Sequence, residues 1–116
     1  MLLVEDDPSV RLLIGELLGE LGYRTIEASD PQAAIKQLES GRAFDLMISD
    51  VGLPGMNGRQ LAEIARQHLP TVRILFVTGY AENAAIRAGY LGTNMAMIGK
   101  PFKLEELAAK IGEVLS

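Results

Sequence analysis

Cysteine and tryptophan are absent from these 116 residues, and there is one histidine. Without cysteine there is no disulfide, no thiol nucleophile and no Cys-based zinc site, a composition that suits a cytoplasmic setting. His68 sits in the polar context Arg66-Gln67-His68 just before Pro70 and reads as an ordinary helix-end residue. A His-based triad or metal centre therefore lacks its parts. Lysine and arginine number 11 against 15 acidic residues, a formal net charge of −4, so the clustered cations that grip nucleic-acid phosphates are missing. No apolar run approaches the ~20 residues of a membrane span. Contact with nucleic acid or membrane is accordingly not expected.

What is present is a core. Hydrophobic residues make up 48% of the chain, too many for a disordered segment, and 116 residues suit one domain, expected over residues 1–116. Helical and strand patterns alternate about five times. Asp7-Pro8 reads as a cap and first helical residue, with apolar positions at Val10, Leu13, Ile14, Leu17, Leu18 and Leu21 before Gly22 stops the helix. Residues 23–28 read as a short strand, with Ile26 and Ala28 on one face. Asp30-Pro31 repeats the helix start, with Ala34, Ile35 and Leu38 as its stripe. Asn57 caps a helix carrying Leu61, Ile64 and Ala65 that Pro70 terminates. Residues 82–88 read as a weak helix and 88–94 as irregular. A last helix carries Leu104, Leu107, Ala108, Ile111, Val114 and Leu115.

The central strands are continuously apolar, as expected when helices cover both faces of a parallel sheet. Right-handed crossovers then lead to a flavodoxin-like α/β fold, a doubly wound five-stranded parallel sheet of order 2-1-3-4-5. The first strand is barely four residues long, so the chain is expected to begin inside a larger natural sequence.

The chemistry lies at the strand ends. Leu2-Leu3-Val4 runs into Glu5-Asp6-Asp7, and the apolar run 44–50 ends in Asp50, followed by the turn-rich stretch 51–58. Ile74-Leu75-Phe76-Val77 ends in Thr78, and the run 95–99 ends in Lys100-Pro101. Four strands thus deliver an acidic pair, an aspartate, a hydroxyl and an ammonium to the edge where open α/β sheets bind ligands. Carboxylates suit a hard divalent cation, and Lys with Thr suits a phosphoryl group. Each residue also has a purely structural reading. Residues 5–7 could be an acidic helix start, Asp50 a turn former, Thr78 a strand residue and Lys100 a solvated cation.

Taken together, Val4-Glu5-Asp6-Asp7, the Asp50 loop through Leu53-Pro54-Gly55-Met56-Asn57-Gly58, Thr78 and Lys100-Pro101-Phe102 resemble the receiver domain of bacterial two-component response regulators. The likeness covers essentially the whole chain. Residues 78–84 with 100–102 look most like receivers at the C-terminus of hybrid sensor histidine kinases. The resemblance implies that Asp50 accepts a phosphoryl group from a phosphohistidine on a histidine kinase or histidine phosphotransfer domain. It implies Mg²⁺ bound by Asp6 directly, by Glu5 through water, by the Gly52 backbone carbonyl and by Asp50. Lys100 would pair with the acidic pocket and then with the phosphoryl group, to which Thr78 would donate a hydrogen bond. A cis Lys100-Pro101 bond would aim the ammonium inward.

Such a domain is a signalling switch, which assists its own phosphorylation and dephosphorylation, and not an enzyme with a separate substrate. Two rivals are a degenerate receiver used only for protein interaction and a small phosphohydrolase with an Asp nucleophile. The hydrolase would want a second Asp where Gly52 stands. One departure from the family's commonest pattern is Met97, at a position that often carries Tyr or Phe. Methionine fills the gap but presents no phenol hydroxyl, so output is expected through loop and helix shifts, with Tyr80 near the pocket mouth. The irregular stretch 88–94 is a second departure, shortening the fourth helix. No oligomeric state follows from the pattern.

Overall fold

In the computed structural model, residues 1–78 and 92–116 are described. The expected helix over 82–88, Tyr80 and residues 88–91 of the irregular stretch lie outside them. In chain order the elements are β1 (Leu2–Val4), α1 (Pro8–Glu20), β2 (Ile26–Ala28), α2 (Pro31–Glu39) and β3 (Leu46–Asp50). There follow β4 (Gly52–Leu53), β5 (Met56–Asn57), α3 (Gly58–His68), β6 (Arg73–Thr78), β7 (Met95–Gly99) and α4 (Leu104–Leu115).

Five strands pair in the order β2-β1-β3-β6-β7, all in parallel. With the small β4-β5 ribbon set aside, this is the expected 2-1-3-4-5 order. The unbroken apolar runs have the expected cause, because alternate residues feed two separate cores. Leu2, Val4, Met47, Ile74 and Phe76 pack on the α2–α3 side, joined by Ala34, Leu38, Leu61 and Ala65. Leu3, Leu46, Ile48, Leu75 and Val77 pack on the other side against Ile14, Leu18, Leu107 and Ile111 of α1 and α4. Burying a large aliphatic side chain contributes about 1.5–3 kcal/mol, so these two layers hold the sheet.

The helix starts follow the sequence pattern. Asp7 accepts hydrogen bonds from the Ser9 and Val10 amides at 2.9 and 3.4 Å, and Asp30 accepts one from Ala33 at 2.7 Å. Asn57 and Gln60 form a reciprocal capping box at 2.9 and 3.1 Å. Gly22, with φ at +88°, takes the left-handed conformation after α1.

Three expectations are corrected. The strand expected over 23–28 is only Ile26–Ala28, because β1 supplies just Leu2, Leu3 and Val4 as partners. Within the expected stripe of α1, Leu13 and Leu21 are 46% and 43% exposed. A 3.6-residue period paints a stripe wider than the neighbouring sheet covers. The 51–58 stretch is no plain loop: Gly52 pairs with Asn57 and Leu53 with Met56 in a tight antiparallel ribbon, with Pro54-Gly55 at its turn and Gly55 at φ +78°. Leu53 pins the ribbon to the α2–α3 core.

Candidate functional site

Register brings the strand ends together. Val4 pairs with Ser49, so Glu5, the next residue, lies beside Asp50. Asp50 pairs with Val77, and Thr78 pairs with Gly99, the residue before Lys100. Glu5, Asp50, Thr78 and Lys100 therefore line the C-terminal edge of four adjacent strands in spatial order. The Lys100 amide donates to the Thr78 carbonyl at 2.7 Å, which locks these two ends to each other. The Lys100-Pro101 bond is cis, as the resemblance implied.

Side chains converge at this edge. One carboxylate oxygen each from Glu5, Asp6 and Asp50 lie within 4.8 Å of one another. The Lys100 ammonium donates to Asp50 Oδ2 at 3.2 Å and to Glu5 Oε1 at 3.4 Å. Burial differs sharply among the four. Glu5 is buried, Asp6 is exposed, the Asp50 side chain is 12% accessible and that of Lys100 31%. Thr78 is buried at the end of β6. Gly52 is exposed, and its amide donates to Asp50 Oδ1 at 3.4 Å. Asp7 is taken up by capping α1, which leaves Asp6 facing solvent at the mouth.

Three carboxylates against one ammonium is an electrostatically unhappy arrangement. Burial pushes the Glu5 carboxyl up to about 7, opposed by the Asp7 amide and reinforced by the Asp50 charge. Lys100 is pulled down by burial, but Asp50 and then Glu5 more than offset this and hold it above its ordinary value. Such a cluster favours the arrival of positive charge. The donors are all hard oxygens, with no nitrogen or sulfur ligand among them, which suits Mg²⁺ or Ca²⁺ and not a soft metal.

Three supporting residues escaped the reading of the sequence. Ser49 is fully buried, and its hydroxyl donates to the Asp50 carbonyl at 2.9 Å. Gly58 opens α3 so close to β3 that a Cβ there would stand 2.5 Å from the Asp50 carbonyl oxygen. Its signal was a glycine directly after a capping Asn. Arg11 reaches back from α1 to donate to the Glu5 carbonyl at 2.9 Å. Its signal was a cation inside the apolar stripe of α1, six residues after Glu5. Met97 pairs with Phe76 and is partly buried against the α2–α3 core.

Comparison with known proteins agrees with this geometry. Residues 1–112 match the family model of the response regulator receiver domain. The chain is 36% identical over 121 residues to the chemotaxis protein CheY of Pseudomonas aeruginosa, covering 98% of this chain and 94% of that one. It is 35% identical over 116 residues to the sensor kinase CckA of Brucella abortus, covering 99% of this chain but only 12% of the kinase. A solved receiver domain from the hybrid histidine kinase CckA superposes with a TM-score of 0.84 at 32% identity, covering 99% of this chain and 97% of that one. The chain belongs to the response regulator receiver domain family of two-component signal transduction.

Proposed function

We propose that residues 1–116 act as one phospho-acceptor switch in which Asp50 takes a phosphoryl group from a phosphohistidine, in a Mg²⁺-dependent step. The donor histidine belongs to a histidine kinase or a histidine phosphotransfer domain. The observation that carries this reading is the Asp50 carboxylate itself. Asp50 and Glu5 both belong to the acidic cluster and both meet the Lys100 ammonium, at 3.2 and 3.4 Å, but Glu5 is buried whereas Asp50 stays partly accessible at the mouth.

Bound at the cluster, Mg²⁺ supplies charge neutralisation for the nucleophile and the incoming phosphoryl oxygens. Asp6 would hold it directly, Glu5 through water, and Asp50 and the Gly52 carbonyl would complete the protein ligands. An Asp50 carboxylate oxygen attacks phosphorus, the new P–O bond forms as the P–N bond breaks, and the imidazole nitrogen keeps the electron pair. Lys100 exchanges one carboxylate partner for a phosphoryl oxygen, and the Thr78 hydroxyl donates to another. Reversal by water at phosphorus returns Asp50 and inorganic phosphate, so the domain resets without a separate substrate. A cytoplasmic setting fits this chemistry, and among the described residues no helix is long and apolar enough to cross a membrane.

Incubation with a small-molecule phosphodonor followed by intact-mass measurement and peptide mapping tests the reading. One phosphoryl group on Asp50, gained with Mg²⁺ and not in chelator, is the expected result. Labelling that persists in Asp50→Asn refutes it.

A further inference from the structure

We propose that Arg11, accompanied by Glu27, is a positioning residue for the acidic cluster: it fixes the plane of the Glu5–Asp6 peptide and so aims both carboxylates at the cation. The proposal rests on the reading of that cluster as a metal site.

The peptide unit is rigid, so holding the Glu5 carbonyl oxygen also sets the direction in which the Asp6 Cα leaves the strand. Arg11 Nη1 holds that oxygen at 2.9 Å. The positions on either side are held too. The Glu5 amide donates to the Ala28 carbonyl at 3.1 Å, and the Asp7 amide donates to Glu5 Oε2 at 3.1 Å. Arg11 therefore completes a set of three anchored backbone groups between residue 5 and residue 7, on both sides of Asp6. Asp6 itself is exposed, so the peptide behind it bears directly on where its side chain leaves the strand.

A guanidinium beside a site that must attract a dication is at first sight the wrong charge. Glu27 of β2 answers this, with Oε1 3.5 Å from Arg11 Nε. The pair delivers a directional donor while offsetting much of its positive charge. The helix makes room for it one turn on: at Gly15, a Cβ would lie 2.9 Å from Glu27 Oε2. Neither Arg11 nor Glu27 touches the cluster's carboxylate oxygens, so their effect on a cation passes through the backbone and the local field.

Positioning and plain electrostatics give opposite signs. Removing a cation strengthens Mg²⁺ binding if charge alone matters, and weakens it if the peptide plane matters. Mg²⁺ titrations followed by amide NMR shifts, with melting in chelator to verify folding, read this directly. Arg11→Ala is expected to raise the Mg²⁺ Kd about tenfold, the lower end for residues that orient metal ligands. Arg11→Lys, which keeps the charge but not the fork that reaches both partners, falls between it and wild type. Glu27→Gln leaves the guanidinium uncompensated and raises Kd about twofold, as for a half-exposed charge in high dielectric. A merely structural role would lower the melting temperature and leave the Kd of the folded protein unchanged. An unchanged or lower Kd in Arg11→Ala overturns the proposal. Should that variant fail to fold, Arg11→Lys decides, with a Kd equal to wild type overturning it. If Asp6→Asn binds Mg²⁺ as tightly as wild type, the metal-site reading itself falls, and this proposal with it.

Discussion

Glu5 and Asp50 are neighbouring carboxylates that share one ammonium, yet their surroundings differ. Glu5 is set in a frame. Its amide, its carbonyl and its side chain each have a partner other than Lys100, and the residue is 1% exposed. The Asp50 backbone is equally held, by Ser49 and by pairing with Val77. Its side chain is not. Among the described residues, its hydrogen-bond partners besides Lys100 come down to the long 3.4 Å contact from the Gly52 amide. The difference separates two tasks. A group that holds a cation benefits from a fixed position, whereas a nucleophile must give up its partners as it reacts. On the proposed reading, the better-satisfied carboxylate would serve as the support, and the one whose side chain is loosely held is the one expected to react.

The largest effect expected from this contrast is a pH dependence that belongs to Glu5. Its folded-state value of about 7 lies above its ordinary value of 4.5. Its contribution to stability is therefore complete below about 4.5 and lost as pH rises through about 7. Linkage over that interval amounts to at most about 3 kcal/mol. Urea unfolding in chelator should show wild type gaining on Glu5→Gln as pH falls from 8 to 5. Parallel pH profiles for the two proteins would mean that Glu5 titrates normally.

Next in size is Lys100→Ala. It leaves the buried Glu5 and the largely buried Asp50 facing each other without a cation. Removing one partner of a fully buried pair costs about 3–5 kcal/mol. Because the Lys100 side chain is 31% accessible, a loss of about 2 kcal/mol at pH 8 in chelator is expected. Added Mg²⁺ should recover much of it by binding the folded state. A variant as stable as wild type in chelator would show the ammonium to be solvated and incidental.

The smallest effect has the opposite sign. Asp50→Asn removes one of three crowded negative charges, so in chelator it should melt higher than wild type, by about 1 kcal/mol for one relieved repulsion at intermediate dielectric. The same variant should gain less from Mg²⁺. If it melts lower in chelator and responds equally to the metal, the crowding described here is not what the site experiences.

Much of this site was legible because it is built from strand ends. An apolar run terminated by Glu5, Asp50, Thr78 or Lys100 marks both the strand and the residue it delivers. The caps at Asp7, Asp30 and Asn57 were equally plain, since each joins a side-chain acceptor to a helix start within three residues. The chain's supporting contacts were not. Arg11 reaches six residues back, Ser49 bonds the next carbonyl, and Gly58 matters for the atom it lacks; none of these has a periodicity. Leu13 and Leu21 failed for another reason, because exposure depends on how far the neighbouring layer extends and not on the helix's own pattern. The β4-β5 ribbon is too short for any alternation to register.

The central claim is that Asp50 is the reactive carboxylate and Glu5 its fixed support. Fluorine NMR of beryllofluoride, a phosphoryl mimic, added to wild type, Glu5→Gln and Asp50→Asn with Mg²⁺ tests it most directly. The account predicts a bound signal in wild type that disappears in chelator, a weakened signal in Glu5→Gln and none in Asp50→Asn. A bound signal in Asp50→Asn, or full binding by wild type in chelator, would contradict it.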